Sequence, residues 1–257
     1  MAVVLNPPHN QVVTHRVSAV AKRPNSGNII GVWIMVSGTT YDIQRANAMK
    51  SIRDRARQKF PSVLLTLLSI VQAVALEKLW EQSRLRPDLF DASWLTVLSW
   101  LQLTATLLVI IFIWLLYVGL VMRFRFTPRL SDLILPFFVG LIEFLMIEMT
   151  HPGRLGAWFI VLALISTIVS YIRHALFRRA RRDPENREFF DVVPAATWRD
   201  HSARIIPTVL CAVIGAWLWI SGNQSWPALV AILLVLFGIA SQMQIAAKYW
   251  RLSMSDT

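Results

Sequence analysis

The apolar positions of this chain collect into long runs separated by basic stretches, and only the first fifty residues stay largely polar. Six runs follow, at about 61–80, 94–122, 131–150, 155–177, 204–222 and 226–247. A helix rises 1.5 Å per residue, so roughly 20 apolar residues cross the hydrocarbon layer of a bilayer. Each run is close to that length or beyond it, and the second is long enough to tilt or to extend into solvent. Between the fifth and sixth, Ser221–Pro227 (SGNQSWP) supplies the Gly, Asn and Pro of a tight turn, which predicts an antiparallel hairpin. The pattern predicts an all-α fold, a polytopic membrane bundle of six transmembrane helices within residues 51–250, with a short tail at 251–257.

Residues 1–50 are expected to be a partly ordered cytoplasmic region, with Pro7, Pro8, Pro24 and Gly27 as breakers. Its one apolar patch, Ile29–Val36 (IIGVWIMV), is too short to span and lacks the arrangement of a signal peptide, so it reads as a strand or an interfacial segment. The stretch KSIRDRARQK at 50–59 reads as a basic, helix-prone lead-in to the first span.

Charge orients the bundle. Lys50, Arg53, Arg55, Arg57 and Lys59 precede the first span, and Arg123, Arg125 and Arg129 lie between the second and third. The connection Arg178–Arg204 holds a dense arginine cluster, and Lys248 and Arg251 follow the last span. The alternate connections hold only Lys78, Arg84, Arg86 and Arg154. Since basic loops stay on the cytoplasmic side, both termini are expected inside. In the Arg178–Arg204 connection, Phe189, Phe190 and Trp198 stand among the arginines, a mixture that suits the headgroup layer of the inner leaflet.

Composition narrows the chemistry. The chain is 55% hydrophobic and 16% charged, too apolar for an average soluble domain. Its net charge of +11 sits beside the apolar runs instead of in a basic domain with interleaved aromatics, which speaks against nucleic acid. Cys211 is the one cysteine and the five histidines are scattered, so no disulfide, metal or cofactor is implied. No nucleophile–base pair or phosphate-cradling glycine loop is evident, and an enzyme is not expected.

The informative positions are polar groups inside the runs. In Ser131–Thr150 (SDLILPFFVGLIEFLMIEMT), Asp132, Pro136, Glu143 and Thr150 fall on nearly one helical stripe, with Gly140 beside it. Glu148 lies about 140° round the helix from Glu143, near the outer interface and close to His151 and Arg154, where a snorkelling or ion-paired structural role is expected. Ionisable groups inside a membrane segment face a bundle interior or a wet cavity, so Glu143 reads as an inward-facing acid. Gly140 would let a neighbouring backbone approach closely. The first span carries its own stripe of Ser62, Thr66, Ser69, Ala73 and Glu77, with Gln72 at the edge. Small and hydroxyl residues at that spacing serve close helix packing or line a pore.

Together the basic lead-in, the small and polar first span, Met122–Phe126 (MRFRF) and the basic connection before the last hairpin resemble the six-helix prokaryotic relatives of the endolysosomal potassium channel, over roughly residues 50–247. Those proteins assemble around a pore lined by the first helix, so the resemblance implies an oligomer with a cation pathway there. Their Phe-Ser-Asp signature is not repeated, since Phe60 is followed by Pro61 and Ser62, and no family site residue is carried over.

The expected function is that of a cation channel or a proton-coupled transporter, with Glu143, Asp132, Thr66, Ser69, Gln72 and Glu77 as the ion or proton pathway. The other reading is a non-transporting membrane partner or signalling protein acting through the N-terminal region and loop 178–204. Expected partners are the lipid bilayer, anionic lipid at the cytoplasmic face through Arg178, Arg179, Arg181 and Arg182, further copies in a homo-oligomer, and a cytoplasmic protein. The expected location is the cell membrane.

Overall fold

The computed structural model describes residues 29–91, 93–125, 129–192, 198–222 and 226–254, with most side chains from residue 45 onward. Among them the α-helices are α1 (Ile29–Arg84), α2 (Trp94–Arg123), α3 (Leu130–Glu148), α4 (Leu155–Ala180), α5 (Arg187–Val192), α6 (Trp198–Ser221) and α7 (Trp226–Met254). Single 3-10 turns at Pro87–Leu89, Pro152–Arg154 and Pro184–Asn186 join some of them. Contacts divide the chain after Ser51 into two compact units, and the packed helices lie in the unit from Ile52 onward.

The strand reading of Ile29–Val36 is corrected: this backbone belongs to α1. A short apolar run cannot be told from a helical segment by periodicity alone, and here the helix runs on unbroken past Ala46, Ala48 and Lys50.

Helix ends follow local chemistry. Ser93 caps α2 by accepting the Thr96 backbone N–H at 3.3 Å. Asp132, at the third position of α3, accepts the Arg129 N–H at 3.0 Å. Gly222, with φ of +58°, closes α6 by donating its N–H to Leu218 O at 3.1 Å, in a left-handed conformation that only glycine adopts without strain.

Among the described residues four helical stretches are long and apolar enough to cross a membrane: Arg45–Arg84, Trp94–Arg123, Leu155–Ala180 and Trp226–Arg251. The third and fifth of the six runs differ. Helix α3 carries three acids, Asp132, Glu143 and Glu148, in its 19 residues, and the apolar part of α6 described in full, Ile205–Ser221, is shorter.

Helix α3 is polar within and apolar without. Its exposed positions include Ile134, Phe137, Phe138, Leu141 and Leu145, whereas Asp132, Pro136, Gly140, Glu143 and the following Thr150 are buried. The stripe that the sequence placed on one face is the face the bundle covers. Helices α4 and α6 cross at two glycines. A Cβ on Gly156 would lie 2.5 Å from Trp219 N, and one on Gly215 would lie 2.9 Å from Gly156 O, so the two backbones touch there. Trp158 and Phe159, fully buried next to this crossing, anchor the core.

Candidate functional site

The centre of the buried stripe is Glu143, fully enclosed in the bundle. It faces α1, where the Val71 side chain lies directly against Gly140, one helical turn before Glu143. The expectation that Gly140 admits a backbone is refined: what it admits is a branched side chain. That contact sets the next residue of α1, Gln72, opposite the acid. Gln72 is 5% exposed, and its Nε2 donates to Glu143 Oε1 at 3.0 Å and Oε2 at 2.9 Å. Among the described residues no cation pairs with Glu143.

Three buried polar atoms of the bundle interior lack a hydrogen-bond partner among the described residues: Gln72 Oε1, Gln102 Oε1 and the Tyr117 hydroxyl. Such groups ordinarily find a protein group or a water. Tyr117, on α2, lies in the electrostatic reach of both Asp132 and Glu143.

At the C-terminal end of α3, side chains from neighbouring elements serve the last carbonyls. Gln102 Nε2 donates to Met149 O at 3.0 Å, and buried Arg86 bonds Thr150 O and, at 2.7 Å, Ser99 Oγ. A cation and amide donors there complement the negative end of the helix dipole. Deeper along α2, Thr106 Oγ1 donates to Gln102 O at 2.8 Å and accepts from Trp158 Nε1 at 3.0 Å.

At the opposite end, Asp132 is held by a two-pronged ion pair. Arg179 Nη1 donates to Oδ2 at 3.0 Å and Nη2 to Oδ1 at 2.7 Å. Arg57 of α1 reaches Asp183 at 3.5 Å and Glu185 at 3.2 Å, and Arg125 reaches Glu185 at 3.0 Å. Asn186 closes the turn, donating to Arg125 O at 2.6 Å and Ala180 O at 2.9 Å. Phe124 stands among Phe177, Phe189 and Phe190, with ring centroids 5.2, 5.0 and 5.3 Å away, and Arg123 and Arg181 lie over the Phe189 and Phe190 rings. The basic segments before the first apolar run, after the second and after the fourth therefore meet at one end of the bundle.

The sequence-predicted residues thus separate. Gln72 and Glu143 come together. Asp132 shares their buried face but is about 16 Å along α3 from Glu143 and bound to Arg179. Thr66, Ser69 and Glu77 are exposed, Thr66 and Glu77 more than about 100° round α1 from Gln72 and Ser69 about 60°, with Thr66 Oγ1 donating back to Ser62 O at 2.9 Å. Of the four arginines expected at headgroups, Arg178, Arg181 and Arg182 are exposed, while Arg179 is half-buried on Asp132. Phe189 and Phe190, which the sequence places among headgroup-layer arginines, pack their rings against Phe124. Glu148 is ion-paired with Lys78 Nζ at 3.0 Å and accepts from Gln82 Nε2 at 2.9 Å, two side chains one turn apart on α1.

Sequence reasoning missed Tyr117, Thr106 and Trp158. Each sits in an apolar run where a single polar side-chain atom gives no periodic signal. Arg86 was counted only as a loop charge. Compared with protein-family models, with curated proteins and with solved structures, the chain matches none.

Proposed function

We propose that this protein is a multi-pass membrane protein, with six spans and both termini on the cytoplasmic side, that carries a small cation, the proton included, by way of Glu143. The observation that supports this most is the placement of Glu143: fully enclosed, at the middle of an apolar helix, with a neutral amide as its hydrogen-bond partner and no cation beside it among the described residues. An acid in that position is costly in a bilayer, and uptake of a cation or a proton removes the cost.

The six-span reading adds α3 and α6 to the four long apolar helices. Helix α3 is about 28 Å long. Two of its three acids are buried, and the third is at its end in an ion pair with Lys78. Large apolar side chains facing outward with polar groups inside is what lipid favours and water penalises. The grouping of Arg57, Arg125 and the Asp183–Asn186 turn at one end agrees with the alternation of basic connections. The outward stripe of Ser62, Thr66, Ser69 and Glu77 supports a homo-oligomer, since a second copy would keep these groups from hydrocarbon.

The test is flux into vesicles containing the full chain. Glu143→Gln is expected to lower proton or alkali-cation flux on the order of tenfold or more. Unchanged flux would remove Glu143 from the pathway.

A further inference from the structure

We propose that the cation taken up by Glu143 is the proton, and that the Gln72 amide swings between two hydrogen-bond patterns as the proton arrives and leaves. The inference rests on the reading of Glu143 as a cation-binding acid and narrows the cation.

What faces the carboxyl group decides between ions. Both oxygens of Glu143 meet N–H of Gln72, at 3.0 and 2.9 Å. A bound metal ion needs several oxygen ligands converging on one point, and here the nearest partner turns donors toward the acid. Among the described residues no group of three or more His, Cys, Asp or Glu side chains gathers anywhere.

The unpartnered Gln72 Oε1 points the same way. With Glu143 ionised, Nε2 serves both carboxylate oxygens and the amide oxygen is left without a donor, in a residue 5% exposed. One proton on Glu143 supplies the one missing donor. The acid O–H then donates to Oε1, Nε2 continues to donate through one N–H to the second carboxyl oxygen, and the two side chains form a closed ring in which every oxygen is served while the second N–H of Nε2 is released. The proton comes from the aqueous phase to one carboxylate oxygen, and the only movement required is a pivot of the amide. The reverse amide orientation, with Oε1 toward the carboxyl, requires a proton between the two oxygens. The two orientations therefore belong to two protonation states of one site.

The charged groups around α3 are otherwise engaged. Lys78 of α1 is bonded to Glu148, and Arg179 of α4 to Asp132. From α2 the facing titratable group is Tyr117, whose buried hydroxyl lies in the field of Glu143 and Asp132.

Infrared titration of the full chain in phosphatidylcholine–phosphatidylglycerol vesicles tests this, alongside proton, sodium and potassium flux in the same vesicles. Acidification is expected to raise a carboxylic-acid C=O band that is lost in Glu143→Gln. In Gln72→Leu, which keeps the acid but removes its hydrogen bonds, the band should move to higher frequency. If Glu143→Gln does not assemble, Glu143→Asp serves in its place: a shorter acid withdrawn from Gln72 should shift the band as Gln72→Leu does. A band unaltered by Glu143→Gln, or one that does not shift in Gln72→Leu, would overturn the proposal. Sodium or potassium flux that depends on Glu143, with no Glu143 band, would overturn the proton while leaving Glu143 as a cation site. The band without flux of any cation would retain the proton site and overturn transport.

Discussion

Asp132 and Glu143 share one face of α3, yet they meet opposite surroundings. Asp132 is 5% exposed and bound by both Arg179 nitrogens while it caps the helix start; Glu143 is fully buried with an amide. The first arrangement is a structural clasp between the start of α3 and the end of α4. Removing one member of a buried pair leaves the other uncompensated, so Arg179→Ala should cost ~3 kcal/mol in a denaturant titration in detergent. Arg178→Ala and Arg182→Ala, at exposed positions, should stay within ~0.5 kcal/mol. Equal effects of all three would show that the clasp carries no stability. Should the exposed arginines hold anionic lipid, Arg178→Ala and Arg182→Ala should weaken binding to phosphatidylglycerol vesicles more than Arg179→Ala does, because Arg179 is already committed to Asp132.

Between elements, the α4–α6 contact depends on the absence of side chains. A methyl group on Gly156 would collide with the backbone of Trp219, and backbone cannot yield as a flexible side chain can. Gly156→Ala should therefore cost about 1–3 kcal/mol through overpacking. Gly119→Ala on α2 provides the contrast, since nothing lies within 4 Å of its added Cβ. There the change should be neutral or slightly stabilising, as alanine is the better helix former. Thermal unfolding of the pair in detergent reads the difference. The Phe124 cluster is the second joint, tying the end of α2 to α4 and α5. Phe124→Ala should cost ~3 kcal/mol and loosen the connection after α4, seen as faster proteolysis between residues 181 and 192.

For the whole molecule, the outward stripe on α1 makes the most direct prediction. With Cys211 replaced by serine, Ser69→Cys is expected to form disulfide-linked dimers in membranes under mild oxidation, while Tyr171→Cys, an exposed residue on α4, should form far fewer. Equal cross-linking at both positions would remove the assembly through α1. The all-helical architecture was legible beforehand, because long apolar runs without breakers form helices whatever the contacts between them, and four of those helices are long and apolar enough among the described residues to cross a membrane. Within α3 the 100° stripe already separated Glu143 from Glu148, since position on a helix depends only on spacing. The partners were not legible. Gln72 lay at the edge of a stripe whose other members, Thr66, Ser69 and Glu77, turn outward, and nothing in the spacing says which side of α1 meets α3.

By itself, then, the sequence determined the helical fold, its long apolar runs, the alternation of basic ends and the isolation of one acid in the middle of an apolar run. These are properties of composition and of helix period. Only the tertiary structure decided that Gln72 serves Glu143, that Arg179 is taken by Asp132, that Arg86 and Gln102 serve the end of α3, and that the two phenylalanines after α4 fold back onto Phe124. Each depends on how helices distant in sequence cross. Those crossings are set by a few close contacts, Val71 on Gly140 and Gly156 on Gly215, whose geometry no periodicity encodes.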